Sequence, residues 1–563
     1  MEQQKMKKVF ALVLSAIMAW GFVGCGVNPE DRYSASNSSI ESQISSKESN
    51  GGSSLENSED SSSKNSGDSS SKKPWWDIFG DSSESSSSDS SEDSSESSSS
   101  SSSSSDSSED SSSDDETPIQ PSVVPYDGSQ VTITFYHTMG AALRGVLNQY
   151  IPKFNEKYPN ITVKHSMMGD YPALRDQILM ELVSGRSPSL AYCYPDHVAL
   201  YNKANVVLPL DDYIANTELV TTADGSTEVM GMTQAQLDDF IPGFFEEGKM
   251  AYADGVTYSL PMTRSTEVLY YNKTFFEQYN LTVPTTWDEM ELVCAQIKAI
   301  DSNCIPLGYD SEANWFITMA QQLGEPYTAA SGDSHFLFNT EKNRAAVERA
   351  TEWYQKGYVT TLETYGSYTS DLFTRTESSR MKSYMCIGSS AGASYQCPDR
   401  DYNGNYPFEV GVAMIPQANP EKPAVIQQGP SVCLFKKSNP QEQAAAWLFA
   451  EYLSTCTEFQ GEFSLTSGYT PVIKSAIEHP VYEDFLSKAS EGNDYLQARV
   501  IAQTIAQMDA YFYSPAFNGS VAARDEVTWL VVGCLTQAPK DGAAEYIKSR
   551  FESTIDYLRY DYD

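Results

Sequence analysis

From Pro125 onward, apolar and polar residues recur at regular intervals. Val131, Ile133 and Phe135 alternate with Thr132, Thr134 and Tyr136, the period-two pattern of a half-buried strand. Residues 141–157 then place Leu143, Val146, Leu147, Tyr150, Ile151 and Phe154 at helical spacing, and Tyr158-Pro159-Asn160 ends that run before a second strand at 161–164. Another helix over about 172–184, closed by Gly185, leads to a third strand from Leu190 to Tyr194. This βαβαβ order predicts an α/β fold: a parallel sheet with helices on both faces and a binding crevice beyond the strand carboxyl ends. Farther along, Asn439 can cap a helix that Pro440 opens, Glu442 has capping-box spacing, and Ala444, Leu448 and Tyr452 share one face. Helical periodicity returns over 523–535 and 543–558, where Trp529 and Tyr557 read as packing residues.

Before Pro125 the pattern is different. Lys5, Lys7 and Lys8 precede an apolar run from Val9 to Val23 that is short for a membrane span and reads as an export signal over residues 1–25. The run ends in Phe22-Val23-Gly24-Cys25, which resembles a bacterial lipobox with Phe in place of the usual Leu. That resemblance implies acylation of Cys25 and anchoring at the outer face of the cell membrane. Residues 26–125 contain 43 serines, with Asp and Glu as the other common residues, and cannot bury enough apolar surface to offset chain entropy. They predict a disordered tether with an end-to-end distance of roughly 50–60 Å, a reach that suits a Gram-positive envelope. Its one apolar island, Trp75-Trp76-Asp77-Ile78-Phe79, reads as inert or weakly interfacial.

The formal net charge is −38, of which the body, residues 126–563, contributes 54 acids against 30 bases. So acidic a chain without a basic stripe is unsuited to nucleic acid, whose phosphates are neutralised by Lys and Arg. Apart from Cys25 there are eight cysteines, of which Cys294/Cys304 and Cys386/Cys397 are near enough in sequence to pair. No CxxC or HExxH occurs and the five histidines are scattered, so the pattern contains neither a zinc site nor any other metal site. Without GxGxxG or GxxxxGK[ST], no nucleotide cofactor is indicated, and none of another kind. Gly388-Ser389-Ser390-Ala391-Gly392 fits GxSxG, with His479 downstream, but the following residues read as a loop where a nucleophile elbow needs a helix. A serine hydrolase is disfavoured, and no catalytic residue is assigned.

Several blocks resemble the family-1 extracellular solute-binding proteins of ABC importers, the group with the maltose- and glycerol-3-phosphate-binding proteins. They are Tyr258–Met262, Ser265–Lys273, Pro284–Glu289, Gly429-Pro430-Ser431, the 440–453 helix and Thr466–Val472. The resemblance covers about 130–560 and implies a two-lobed periplasmic-binding-protein fold of type II, closing about hinge strands. Lobe 1 is expected at 129–262 plus 430–470, and lobe 2 at 263–429 plus 471–563. The implied function is capture of a mono- or oligosaccharide by a monomer, which delivers it to an ABC permease without catalysis. A glycerol-3-phosphate or polyol receptor and a sugar sensor or adhesin are the alternatives. Carried over position by position, the implied ligand contacts are Tyr171, Asp196, Ser265, Trp315, Ser390, Gly429 and Tyr469. In one departure, the stretch Phe512–Gly519 lacks the arginine that pairs with phosphate in glycerol-3-phosphate binders, and the first arginine beyond it is Arg524. A buried unpaired phosphate is costly, so a neutral sugar is the preferred ligand.

Overall fold

A computed structural model describes residues 123–377 and 380–563. The export signal, Cys25 and the tether as far as residue 122 lie outside the described residues. Fourteen strands build the body: β1 (Val131–His137), β2 (Ile161–Met167), β3 (Leu190–Cys193), β4 (Leu219–Thr221), β5 (Thr227–Val229), β6 (Ser259–Pro261), β7 (Ser265–Asn272), β8 (Leu307–Tyr309), β9 (Val359–Thr361), β10 (Met385–Ser389), β11 (Val410–Ala413), β12 (Val425–Gln428), β13 (Ser431–Leu434) and β14 (Tyr511–Phe512). The expected βαβαβ unit forms with helices Ala141–Lys157 and Tyr171–Val183 between its strands. Val131, Ile133 and Phe135 point into the core, and Val146, Leu147, Tyr150 and Phe154 are the buried stripe of the first helix.

The first lobe is a five-stranded sheet in the order β2-β1-β3-β13-β6, with β1 to β3 parallel and β13 antiparallel to its neighbours. The second is a seven-stranded sheet running β14-β12-β7-β10-β8-β9, with β11 also paired to β7. Its central strands alternate strictly. Leu269, Met385 and Ile387 face one apolar cluster, and Val268, Tyr270 and Cys386 face another on the opposite side. A third cluster joins the helices Glu312–Gln322, Glu341–Gln355, Ser520–Gln537 and Ala543–Tyr562. The first lobe's cluster also takes Val472, Ile473 and Ala476, so its packing extends past the boundary expected at 470.

The chain passes between lobes at 262–264 and at 429–430, and Thr470 exchanges two backbone hydrogen bonds with Arg264 where a third segment runs alongside. These passages are tightly apposed. Gly429 has φ +112°, and a Cβ there would lie 2.6 Å from the Thr263 carbonyl oxygen and 2.7 Å from Arg264 Cα. Only glycine accepts both the dihedral and the approach.

Some local expectations differ in outcome. Asn439 caps the helix Pro440–Thr455 by accepting from the Gln441 N–H, but Glu442 accepts from the Ser189 hydroxyl at 2.7 Å instead of closing a capping box. Trp529 and Tyr557 are 54% and 39% exposed, because the buried face of each helix is already filled by Val527, Leu530, Val531, Ile555 and Leu558. The segment after Ser389 is not a loop but a 3-10 helix, Ser390–Gln396. All eight described cysteines are free thiols, including both pairs close in sequence. None of the described helices is long and apolar enough to cross a membrane.

A histidine pair, His137 buried and His165 half-buried, ends β1 and β2. His137 Nδ1 accepts from the Met139 N–H, so its Nε2 donates to His165 Nδ1 at 2.9 Å, and His165 Nε2 donates to Asn148 Oδ1. Burial, with lesser contributions from His165 and Arg144, lowers the His137 pKa to about 3. The unfolded chain therefore takes up a proton near pH 6.5 that the folded chain refuses. Stability conferred by neutral His137 is whole above pH 6.5 and is lost as pH falls toward 3, by about 1.4 kcal/mol per pH unit at the steepest. Urea midpoints at pH 7 and pH 5 check this, and the difference is expected to shrink in His137→Asn.

Candidate functional site

Between the lobes lies a cleft that is open to solvent and encloses a volume of about 70 Å³. The first lobe contributes Tyr194, Pro195 and Asp196 from the turn after β3, and Glu247 from the helix Pro242–Met250. The second contributes Ile317, Tyr327, Ile426 to Gln428 at the end of β12, and Tyr513 to Pro515. Ser520 and Arg524, from the start of the helix Ser520–Gln537, complete its wall. The site thus opens beyond the β3 carboxyl end, where Pro195 starts a short helix and turns Asp196 toward the cleft. Asp196 Oδ1 accepts from the His197 N–H.

The lining combines flat aromatic faces with donors and acceptors of both kinds. Among its hydroxyls, Tyr327 Oη and Ser514 Oγ are buried without an internal hydrogen-bond partner, which marks them as groups that a polar ligand can satisfy. Two carboxylates, Asp196 and Glu247, belong to the first lobe's wall, and one guanidinium, Arg524, to the second's. Behind that second wall Glu267 accepts a hydrogen bond from the Tyr309 hydroxyl at 2.6 Å, and burial pushes its pKa up to about 7. Glu247 faces inward as well. It pairs with Arg264 at 2.8 Å and accepts from Gln427 Nε2 at 3.1 Å, tying the cleft wall to the interlobe crossing. This arrangement can hold a polyhydroxylated molecule by stacking and directional hydrogen bonds. Among the described residues no cluster of three or more His, Cys, Asp or Glu is placed to hold a metal.

The residues singled out from sequence are placed at different depths. Asp196 lines the cleft. Tyr171 packs against the cleft residue Tyr194, the two rings tilted by 34° with centroids 4.4 Å apart. Ser265 is buried at the start of β7 opposite Gln428, and Gly429 follows Gln428 directly. Ser390 is fully buried, its hydroxyl accepting from the Thr266 N–H at 3.2 Å, while His479 caps another helix, Pro480–Leu486. Tyr469 packs against the first lobe's core, beside Gly468, whose Cβ position would fall 1.9 Å from the Ser390 carbonyl oxygen. Trp315 lies elsewhere, between two apolar clusters of the second lobe, lining a separate cavity with Trp287 and Trp353.

Gln427, Gln428, Tyr327, Tyr513, Ser514 and Arg524 line the cleft without having been singled out as ligand contacts. One signal was available: Gln427-Gln428 breaks an apolar strand, Val425-Ile426, just before a glycine crossing. Arg524 was noted only as lying outside the 512–519 stretch. The fold returns it to the cleft one helical turn after that stretch ends.

Comparison with known proteins agrees with this architecture. The sn-glycerol-3-phosphate-binding periplasmic protein UgpB of Escherichia coli K12 is 22% identical over 373 residues, covering 63% of this chain and 78% of that protein. Among solved structures, UgpB from Mycobacterium tuberculosis in complex with glycerophosphocholine superposes with a TM-score of 0.59 at 17% identity, covering 76% of this chain and 99% of the other. The GacH receptor of Streptomyces glaucescens, solved unliganded and with acarbose, does so with a TM-score of 0.57 at 15% identity, covering 76% and 99%. The bacterial extracellular solute-binding protein family matches residues 149–486, more than half of the chain. Two lobes, a cleft between them and that match lead to one conclusion: the chain belongs to the bacterial extracellular solute-binding protein family.

Proposed function

We propose that this protein is an extracellular receptor, anchored by a lipid on Cys25, that captures a mono- or oligosaccharide in the interlobe cleft and delivers it as a monomer to an ABC permease. The observation that carries the reading is the cleft wall itself: tyrosine faces beside Gln427, Gln428, Asp196 and the unpartnered hydroxyls of Tyr327 and Ser514. Relatives named for sugars or glycerophosphates support the same class of ligand. Asp196 is the first-lobe acceptor for ligand hydroxyls, and Tyr171 stiffens Tyr194 from behind. Ser265, Ser390, Gly429 and Tyr469 hold the surrounding crossings, and Trp315 supports the second lobe. On this reading the chain performs no chemistry on its ligand.

A second reading is favoured by one residue. Arg524 belongs to the cleft at the start of an 18-residue helix, where both its charge and the helix end suit an anion. The missing arginine of 512–519 therefore no longer argues against a glycerophosphate. Calorimetric titration with maltose, other neutral saccharides and sn-glycerol 3-phosphate separates the readings. Saccharide binding supports the first, whereas submicromolar sn-glycerol 3-phosphate binding without any saccharide binding overturns it. Arg524→Ala is expected to weaken the bound ligand about 10- to 100-fold by removing a charged hydrogen-bond donor, and unchanged affinity would remove Arg524 from the site.

A further inference from the structure

Asn314 is buried behind the second lobe's wall of the cleft and does not line it. It occupies the third position of the helix Glu312–Gln322, where its N–H donates to the capping Ser311 hydroxyl at 3.2 Å. Both ends of its carboxamide are engaged with cleft residues. Oδ1 accepts from Nη2 of Arg524, and Nδ2 donates to Oε1 of Gln428 at 2.7 Å. A guanidinium has donors and no acceptor, so its partner must be the Asn314 oxygen. The Asn314 nitrogen then faces Gln428, so the Gln428 oxygen is consumed and its Nε2 is left over. Arg524 at the Asn314 oxygen, together with the buried Glu267 carboxyl that also bonds the Asn314 side chain, sets the orientation of two amides in series.

We infer that Asn314 is a positioning residue that turns donors of Gln428 and Arg524 toward the cleft. Gln428 offers Nε2–H and Arg524 its remaining N–H groups, while the first lobe offers the acceptor-only carboxylate of Asp196. The ligand chemistry that fits presents acceptor oxygens to Gln428 and Arg524, and a hydroxyl that donates to Asp196. A ligand with donors on both sides leaves its own buried groups unpaired and is rejected. The inference rests on reading the interlobe cleft as the ligand site.

The test uses the full chain and two variants, with maltose and sn-glycerol 3-phosphate as probes. Asn314→Asp keeps the shape, and an acid is favourable in the first turn of a helix. A carboxylate cannot donate, however, so Gln428 must turn its oxygen to the cleft, and the Arg524 charge is neutralised. The expected result is at least a tenfold loss of affinity for the probe that binds wild type, and, because Asn314 also bonds the buried Glu267 carboxyl, a lower melting temperature accompanies it. A merely structural Asn314 predicts a lower melting temperature with affinity within twofold of wild type, and that result overturns the inference. Crystal structures of ligand-free wild type and Asn314→Leu supply a second readout: Gln428 and Arg524 are expected to leave their positions, and unmoved side chains overturn the inference. Should neither probe bind wild type, the crystallographic comparison alone decides the role of Asn314.

Discussion

Arg264→Met is expected to destabilise the folded protein by about 3–5 kcal/mol, the cost of stranding a buried charge. Arg264 is fully buried at the interlobe crossing, and Nη2 pairs with Glu247 Oε2 at 2.8 Å. The same guanidinium donates to the carbonyls of Thr263 and Phe244 and to the Ser431 hydroxyl, so one side chain ties both crossings to the helix that carries Glu247. Methionine fills a similar volume but leaves Glu247, itself only 4% exposed, with Gln427 as its remaining side-chain partner. The pair as a whole is a different matter, since two charges taken out of water together bring little net stability. The double variant Arg264→Met with Glu247→Gln is therefore expected to recover a substantial part of the loss. Denaturant unfolding of wild type, both single variants and the double variant closes the cycle. Equal stability of wild type and Arg264→Met would show that the crossing does not depend on the pair.

Gly429→Ala is expected to cost about 2–3 kcal/mol, since an L side chain must adopt a disfavoured dihedral. Its Cβ must also displace the Thr263 carbonyl and Arg264 Cα, both backbone, so no side-chain rotation relieves it. Gly429 directly follows β12, which carries Gln427 and Gln428, so a weaker cleft is expected along with a lower melting temperature. A variant such as Gly225→Ala is a useful contrast. Gly225 also has a positive φ, +83°, but open space at its Cβ position, so the dihedral cost is present and the clash is not. The difference between the two losses, read from denaturant midpoints, isolates the steric part. If the two variants lose equal stability, the close approach at the crossing contributes nothing.

The two predictions act on adjacent residues of one junction, and that junction was the part of the molecule least legible in sequence. Period-two alternation at Val131–Phe135 and helical spacing over 141–157 translate directly into β1 and the first helix, because each pattern is a local consequence of which face is buried. The order of strands and helices in the first lobe is likewise local. Glu442 shows where such reading stops. Its spacing suits a capping box, yet a buried hydroxyl from β3, Ser189, competes for it and wins. Trp529 and Tyr557 show the same limit for size and apolarity, since a helix face is buried only if another element covers it.

For the cleft the division is sharper. Asp196, Gly429 and the two-lobed fold were implied by the family resemblance that the sequence blocks carry. Whether Tyr171 touches ligand or supports Tyr194, whether Trp315 faces the cleft or a core, and whether Arg524 is inside or outside the site depend on contacts between residues separated by tens to hundreds of positions. The sequence by itself determined which segments of the body fold and in what order. Only tertiary structure decided which polar groups meet. A hydrogen bond such as that between Asn314 and Arg524 is set by the placement of two helices on one core, and no local pattern encodes it.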